Sequence, residues 1–203
     1  MLDSFIPTAS QELFLDLAFD QEFGQSTDRL RKWEDDIYIY IEGQTEPEVL
    51  LAIDQVIQEL NDLSTTIRLT TVAVQEEANL RLFLGEKEDY VALVEPAASG
   101  FAEGNSGFAT IAWDQDNAII RASACIDNVN FSDPSLLQHV IREELAQVLG
   151  LINDTTLDDK SIFYQLGSTQ TTYSLIDQLM ISYMLGDELS PGMCKEEVLD
   201  IVK

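Results

Sequence analysis

Basic residues, histidine and cysteine are all scarce in this chain: its 203 residues include 11 Lys and Arg, one His and two Cys, against 37 Asp and Glu. The resulting formal charge of -26 repels polyanions, which argues against nucleic acid and anionic membrane surfaces as partners. It suits cations, basic partners or a salty habitat. The acidic residues are dispersed rather than gathered into a tail, as on a solubilising surface. A lone histidine, His139, cannot build an imidazole metal site by itself. Cys125 and Cys194 lie far apart without close metal-ligand spacing, and two arrangements suit them: one disulfide in an exported protein, or two free thiols. No apolar run approaches the length of a bilayer span, and Met1-Leu-Asp-Ser-Phe5 has neither the basic nor the apolar region of a signal peptide. The Gly-x-Ser-x-Gly elbow of serine hydrolases is missing, and Gly100-Phe-Ala-Glu-Gly104 lacks the lysine and the strand-to-helix setting of a phosphate loop. Internal repeats and low-complexity segments are absent as well.

What is present is enough apolar material, 45% of residues, for a sizeable core. Ser10 to Asp20 reads as a short amphipathic helix, followed by the polar turn beginning at Gly24 and the stretch Arg29 to Trp33. The period then changes to two in Asp36-Ile-Tyr-Ile-Tyr-Ile-Glu42, a strand ending at Gly43. Thr45 is placed to cap a helix, with Pro47 in its first turn and Glu48 at the capping-box position, and apolar spacing carries that helix to about Leu63. Strands are predicted over Thr66 to Val74, Asn79 to Leu84, Phe108 to Trp113 and Ala118 to Ile126, the last two joined by the turn Asp114-Gln-Asp-Asn117. Helices are predicted over Glu86 to Val94 and Thr172 to Leu185, with a last short one after Ser190-Pro-Gly-Met193; Pro96 to Gly107 reads as a loop. This order indicates an α+β fold. It divides into an N-terminal helical segment, 1–26, and one domain, 27–203, β-rich to residue 131 and helical from 132.

The chemistry concentrates in one predicted helix, entered through Asp133-Pro134 and closed by Gly150. At about 100° per residue, Leu137, Val140, Ile141 and Val148 gather on one side and Glu144 falls among them. A carboxylate there must be paired, protonated or metal-linked, because an isolated charge in an apolar site costs several kcal/mol, on the order of its desolvation. Glu143 and Gln147 share the adjoining edge, with His139 one turn earlier, while Arg142 and Ala146 point the other way.

The string Glu143-Glu144-Leu-Ala-Gln147-Val-Leu-Gly150 resembles the zincin metallopeptidase helix His-Glu-x-x-His-x-x-Gly with both histidines replaced. Extended through Leu151-Ile-Asn153-Asp154 and joined to Ser161-Ile-Phe-Tyr164 and Pro191-Gly-Met193, it is similar to a bacterial family known as domain of unknown function 2927, over about residues 27–203. The resemblance implies a zincin-like α+β fold: a mixed twisted sheet with crossing helices, then an active-site-type helix and a helical C-terminal part. It puts Glu143 and Gln147 at the ligand positions, Glu144 at the general-base position and Gly150 at the turn glycine. It also implies export or a lipid anchor.

Zinc peptidases hold their ion with imidazoles four residues apart and deprotonate the bound water with the neighbouring carboxylate. Here the spacing is kept and the donors are exchanged. Glu143, Gln147 and a third ligand, Asn153 or Asp154, offer oxygen, which suits calcium, magnesium or manganese better than zinc. His139 either joins such a site or forms a half-exposed ion pair with Glu143; Asn153 and Asp154 are alternatively plain turn residues. Tyr164, Tyr173 and Met180 would floor the site, with the spacing of ordinary packing. Two functions follow as expectations. One is a degenerate peptidase that binds a polypeptide or protein along the edge of the strand near Phe108 to Trp113; the other is a metal-dependent hydrolase with Glu144 as its base.

Overall fold

The computed structural model describes residues 8–19, 28–100, 105–129, 133–165 and 168–203. Period-two alternation builds its centre. In Ile37–Gly43 (β1), Ile37 and Ile39 are fully buried while Tyr38 between them is exposed. This strand pairs in parallel with Leu69–Val72 (β2) on one side, Ile37 opposite Leu69, and with Leu80–Leu84 (β3) on the other, Ile41 opposite Leu82. The crossover from β1 to β2 is Pro47–Leu63 (α2). Parallel pairing continues from β3 to Ile119–Ile126 (β5), and Gly107–Trp113 (β4) then runs antiparallel to β5. The order is therefore β2-β1-β3-β5-β4, with the single antiparallel strand at one edge.

Local chemistry fixes the joints. The β4–β5 hairpin turns where Asp114-Gln-Asp-Asn117 predicts it: the Asp114 carboxylate accepts from the amides of Asp116 (2.9 Å) and Ala118 (3.1 Å), and Asn117 adopts φ 67°. Helix α2 begins one residue later than a Thr45 cap requires. Pro47 occupies its first position and holds the preceding residue extended, so Glu46 is the N-cap, and the Glu46 side chain makes no capping bond. Glu46 instead accepts from Asn128 Nδ2 at 3.1 Å, which leaves the Thr45–Glu48 capping box unformed.

One sheet face is covered along its length and the other only over β3, β5 and β4, Tyr38 of β1 being exposed. On one, Val49, Ile53, Val56 and Leu60 of α2 join Pro134–Gln147 (α4) and Leu175–Leu185 (α5) in a continuous core with Leu82, Ala124 and Ile126. On the other, Phe83, Phe108 and Cys125 meet Tyr90 of Lys87–Leu93 (α3) and Ala98 of the 3-10 turn at Pro96–Gly100. Tyr90 stands edge-on to Phe108 with centroids 5.1 Å apart, and its hydroxyl shares a 2.7 Å hydrogen bond with Ser123. Burial pushes the Tyr90 phenol up to about 12, against the lowering effect of Ser123 and Thr110.

Ala9–Phe19 (α1) belongs to the larger core through Leu13, Phe14, Leu17 and Phe19. Its Gln11 amide donates to the carbonyls of Leu199 (2.8 Å) and Val202 (2.9 Å), fastening it to Lys195–Leu199 (α6). The boundary expected at residue 26 lies outside the described residues. Of the two arrangements open to the cysteines, the thiols are free: Cys125 is buried and Cys194 partly exposed.

Candidate functional site

Helix α4 carries the site and is held at both ends. Asp133 is the N-cap, its carboxylate accepting from the Ser135 amide (2.9 Å) and hydroxyl (2.7 Å), with Pro134 in the first turn. At the other end Trp33 Nε1 donates to the Val148 carbonyl at 2.8 Å, satisfying one acceptor that a helix terminus leaves open. Gly150 then turns the chain at φ 110°, where a side chain would also strike the Arg31 carbonyl and Met184. Gly150 therefore ends the helix against Arg31, and it does not line the cleft described below.

Val140, Ile141 and Val148 are buried as the periodicity predicts, and Glu144 among them is only 3% exposed. The opposite face departs from expectation, since Arg142 and Ala146 are buried too. The reason is α2, which covers that side: Arg142 donates from Nε (3.0 Å) and Nη2 (2.8 Å) to the Glu59 carboxylate, and from Nη1 to the Gln138 carbonyl (3.2 Å). Periodicity locates one apolar face, but it does not reveal a charged residue buried against a second helix.

Glu144 is directed at the start of β4. A Cβ built on Gly107 would collide with the Glu144 carboxylate and lie 2.5 Å from Val140 Cγ1. The missing side chain lets strand and helix close on each other here. A cleft of about 290 Å³ opens beside this contact. Its walls are Asn105, Ser106 and Gly107 leading into β4; Leu136, His139, Val140, Glu143, Glu144 and Gln147 of α4; and Asp154, Tyr164, Gln165 and Ser168 beyond the helix.

The third wall is pinned from behind. Thr155 donates its hydroxyl to Asp16 (2.6 Å) and its carbonyl accepts from the Gln165 amide (3.0 Å), which draws Tyr164 and Gln165 toward the cleft. Asp177, fully buried on α5, accepts from the Ser161 hydroxyl (2.6 Å) and from the amides of Ile162 (3.1 Å) and Ser174 (2.9 Å). Sequence reading overlooked both aspartates. For Asp177 a signal existed in Ser174-x-x-Asp177, a reciprocal capping box that starts α5 after Thr172 and not at it.

The residues marked in the sequence divide. His139, Glu143, Glu144, Gln147 and Asp154 come together in the cleft. Asn153 faces away, donating its amide to the Asp16 carbonyl at 3.1 Å and tying the chain to α1. Of the three residues expected to floor the site, Tyr164 lines the cleft, Tyr173 donates its hydroxyl to the Arg142 carbonyl at 2.9 Å, and Met180 is core.

His139 is buried instead of half-exposed. Its Nδ1 lies 2.8 Å from the Gln170 carbonyl and its Nε2 3.4 Å from a Glu143 oxygen, so both ring nitrogens face groups that only accept. Burial by itself lowers the pKa of His139. The hydrogen bond and charge of Glu143, the Gln170 carbonyl and the charge of Asp154 outweigh it and hold the pKa above the ordinary 6.5. Both contacts are of the kind that favours the protonated ring. Gln147 likewise turns its amide nitrogen to Asp154, at 3.0 Å. Among the described residues no group of three or more His, Cys, Asp and Glu is arranged to hold a metal ion. In this arrangement His139 faces Glu143 and Gln147 faces Asp154.

These features define a mixed α and β domain with a five-stranded sheet and a polar cleft where the antiparallel edge strand meets a buried helix. The chain belongs to the family described as "Protein of unknown function (DUF2927)", which matches residues 7–203 and so takes in α1 as well as the segment carrying the motif. No curated protein matches it in sequence. Two solved structures of myroilysin are similar to it. One is 12% identical with a TM-score of 0.49, covering 78% of this chain and 97% of that one. The other is 14% identical with a TM-score of 0.37, covering 61% and 47%.

Proposed function

We propose that this protein is a zincin-like domain whose cleft recognises an extended polypeptide and does not hydrolyse it, a degenerate peptidase acting at the cell envelope. The observation that carries this reading is the place of β4. It pairs only with β5 among the described strands, and its first residue, Gly107, forms a wall of the cleft. An unpaired strand edge offers a row of main-chain donors and acceptors to an incoming strand, and a pocket beside it receives alternate side chains. The positions that resemble metal ligands are compatible with this reading, Glu143 facing His139 and Gln147 donating its amide nitrogen to Asp154. The envelope setting rests on the family resemblance, as does the name zincin-like.

Peptides selected for binding from a displayed random library test this. Bound peptide is expected to shift the amide resonances of Gly107–Trp113, to lose affinity when its own alternate amides are N-methylated, and to remain uncut in the presence of zinc, manganese or calcium. Metal-stimulated cleavage that disappears in Glu144→Gln would replace recognition by hydrolysis, with Glu144 as general base and an ion held by Glu143, Gln147 and Asp154. Chelator-sensitive thermal stability would point the same way.

A further inference from the structure

The chemistry of the cleft walls specifies more than an extended backbone. Among the described residues three carboxylates line it, Glu143, Glu144 and Asp154, and neither lysine nor arginine does. The His139 ring is held at the wall by the Gln170 carbonyl and Glu143. Leu136, Val140 and the Tyr164 ring supply an apolar side. A volume of about 290 Å³ stands at the small end of ligand cavities, of the order of 300 Å³ and above, and suits one side chain better than a whole cofactor.

We infer that the cleft receives one basic side chain of a polypeptide laid along β4, so that the partner is an extended segment with a lysine or arginine where it passes Gly107. This rests on the recognition proposed above and deepens it. An aliphatic stem against Leu136, Val140 and Tyr164, with its charged head among the carboxylates, matches the amphipathic build of those two side chains. Gly107 keeps the strand side of the entrance clear, since a side chain there would meet Glu144 and Val140. An acidic side chain would meet like charge, and an apolar one would strip water from the carboxylates without replacing it by a counter-charge. The formal charge of -26 adds a long-range field that draws basic segments toward the protein and repels acidic ones.

The test is a selection of displayed random dodecapeptides on the intact protein, repeated on Glu143→Gln and Asp154→Asn, each first shown to be folded by its thermal transition. Lysine or arginine is expected at one fixed position of the selected peptides. Replacing that residue by norleucine should weaken binding at least tenfold at about 0.15 M salt, where long-range attraction is largely screened. The preference should fall several-fold in either variant while residual binding to β4 persists. Selected peptides with no basic position, or with basic residues spread over all positions and binding abolished by salt, overturn the inference and leave strand recognition standing. Selection of no peptide, or of peptides indifferent to N-methylation, removes strand recognition and this inference with it.

Discussion

Gly107 and Glu144 compete for the same space: a β-carbon at position 107 would run into the Glu144 carboxylate, 2.9 Å from its Cδ. The edge strand and the helix can touch only because one of them has no side chain. Gly107→Ala is therefore expected to cost about 1–3 kcal/mol through forced displacement of α4 side chains. With Glu144→Ala added, part of the cost should be relieved, giving a coupling of at least about 0.5 kcal/mol in a double-mutant cycle. Strict additivity in chemical denaturation would show that the two residues do not meet.

The contacts of His139 set the sign of a pH dependence in stability. Its folded pKa is raised above 6.5, with burial opposing and Glu143, Gln170 and Asp154 prevailing. A raised histidine contributes stability that is complete below the unfolded pKa and fades as pH rises through the folded one. The advantage of wild type over His139→Gln should thus be larger near about pH 5.5 than near about pH 9. Paired urea titrations at the two values measure it, and an advantage that grew with pH would contradict the assigned contacts.

Arg142 and Glu59 link α4 to α2 across a boundary where the arginine is buried and the glutamate side chain is 31% exposed. Removing the glutamate alone strands a buried guanidinium. Glu59→Ala should cost roughly 1–3 kcal/mol, less than a fully buried pair because water reaches the glutamate. Replacing both partners, as Arg142→Met with Glu59→Leu, should cost less than Glu59→Ala alone. Denaturant midpoints for the three variants decide this.

The two thiols should separate by reagent. Burial pushes the Cys125 thiol far above its ordinary range, with the charges of Glu144 and Asp127 adding to the shift, whereas Cys194 is partly exposed at the start of α6. A maleimide is expected to modify Cys194 in the native protein and Cys125 only in denaturant. Equal native labelling of both, read by mass spectrometry, would contradict the buried position of Cys125.

The strands and main helices were legible in the sequence because each has a period of its own: Ile37 and Ile39 against Tyr38, or Val49, Ile53 and Val56 along α2. The buried position of Glu144 followed from the same angular reasoning. What escaped it depended on partners distant in sequence. Arg142 was assigned away from the core since nothing local announces Glu59, 83 residues earlier. Asn153 and Asp154 read alike as oxygen donors, and only the packing of α1, which brings Asp16 to Asn153, separates them. Periodicity describes a helix as if it had one neighbour, whereas α4 has the sheet, α2 and the loop before α5.

The antiparallel edge strand has one more consequence. An open edge invites a second copy of the same chain as readily as a foreign strand, and proteins that keep such edges need a way to refuse themselves. At the far end of β4 the ladder shifts register between Ala112 and Trp113, and the Arg31 guanidinium lies over the Trp113 ring at 3.5 Å, which shortens the usable edge. Over the rest, two copies approaching edge to edge would each bring a charge of -26. The surplus of acid thus sets like charge against like wherever two copies approach, and on the reading proposed above it favours strands of opposite charge.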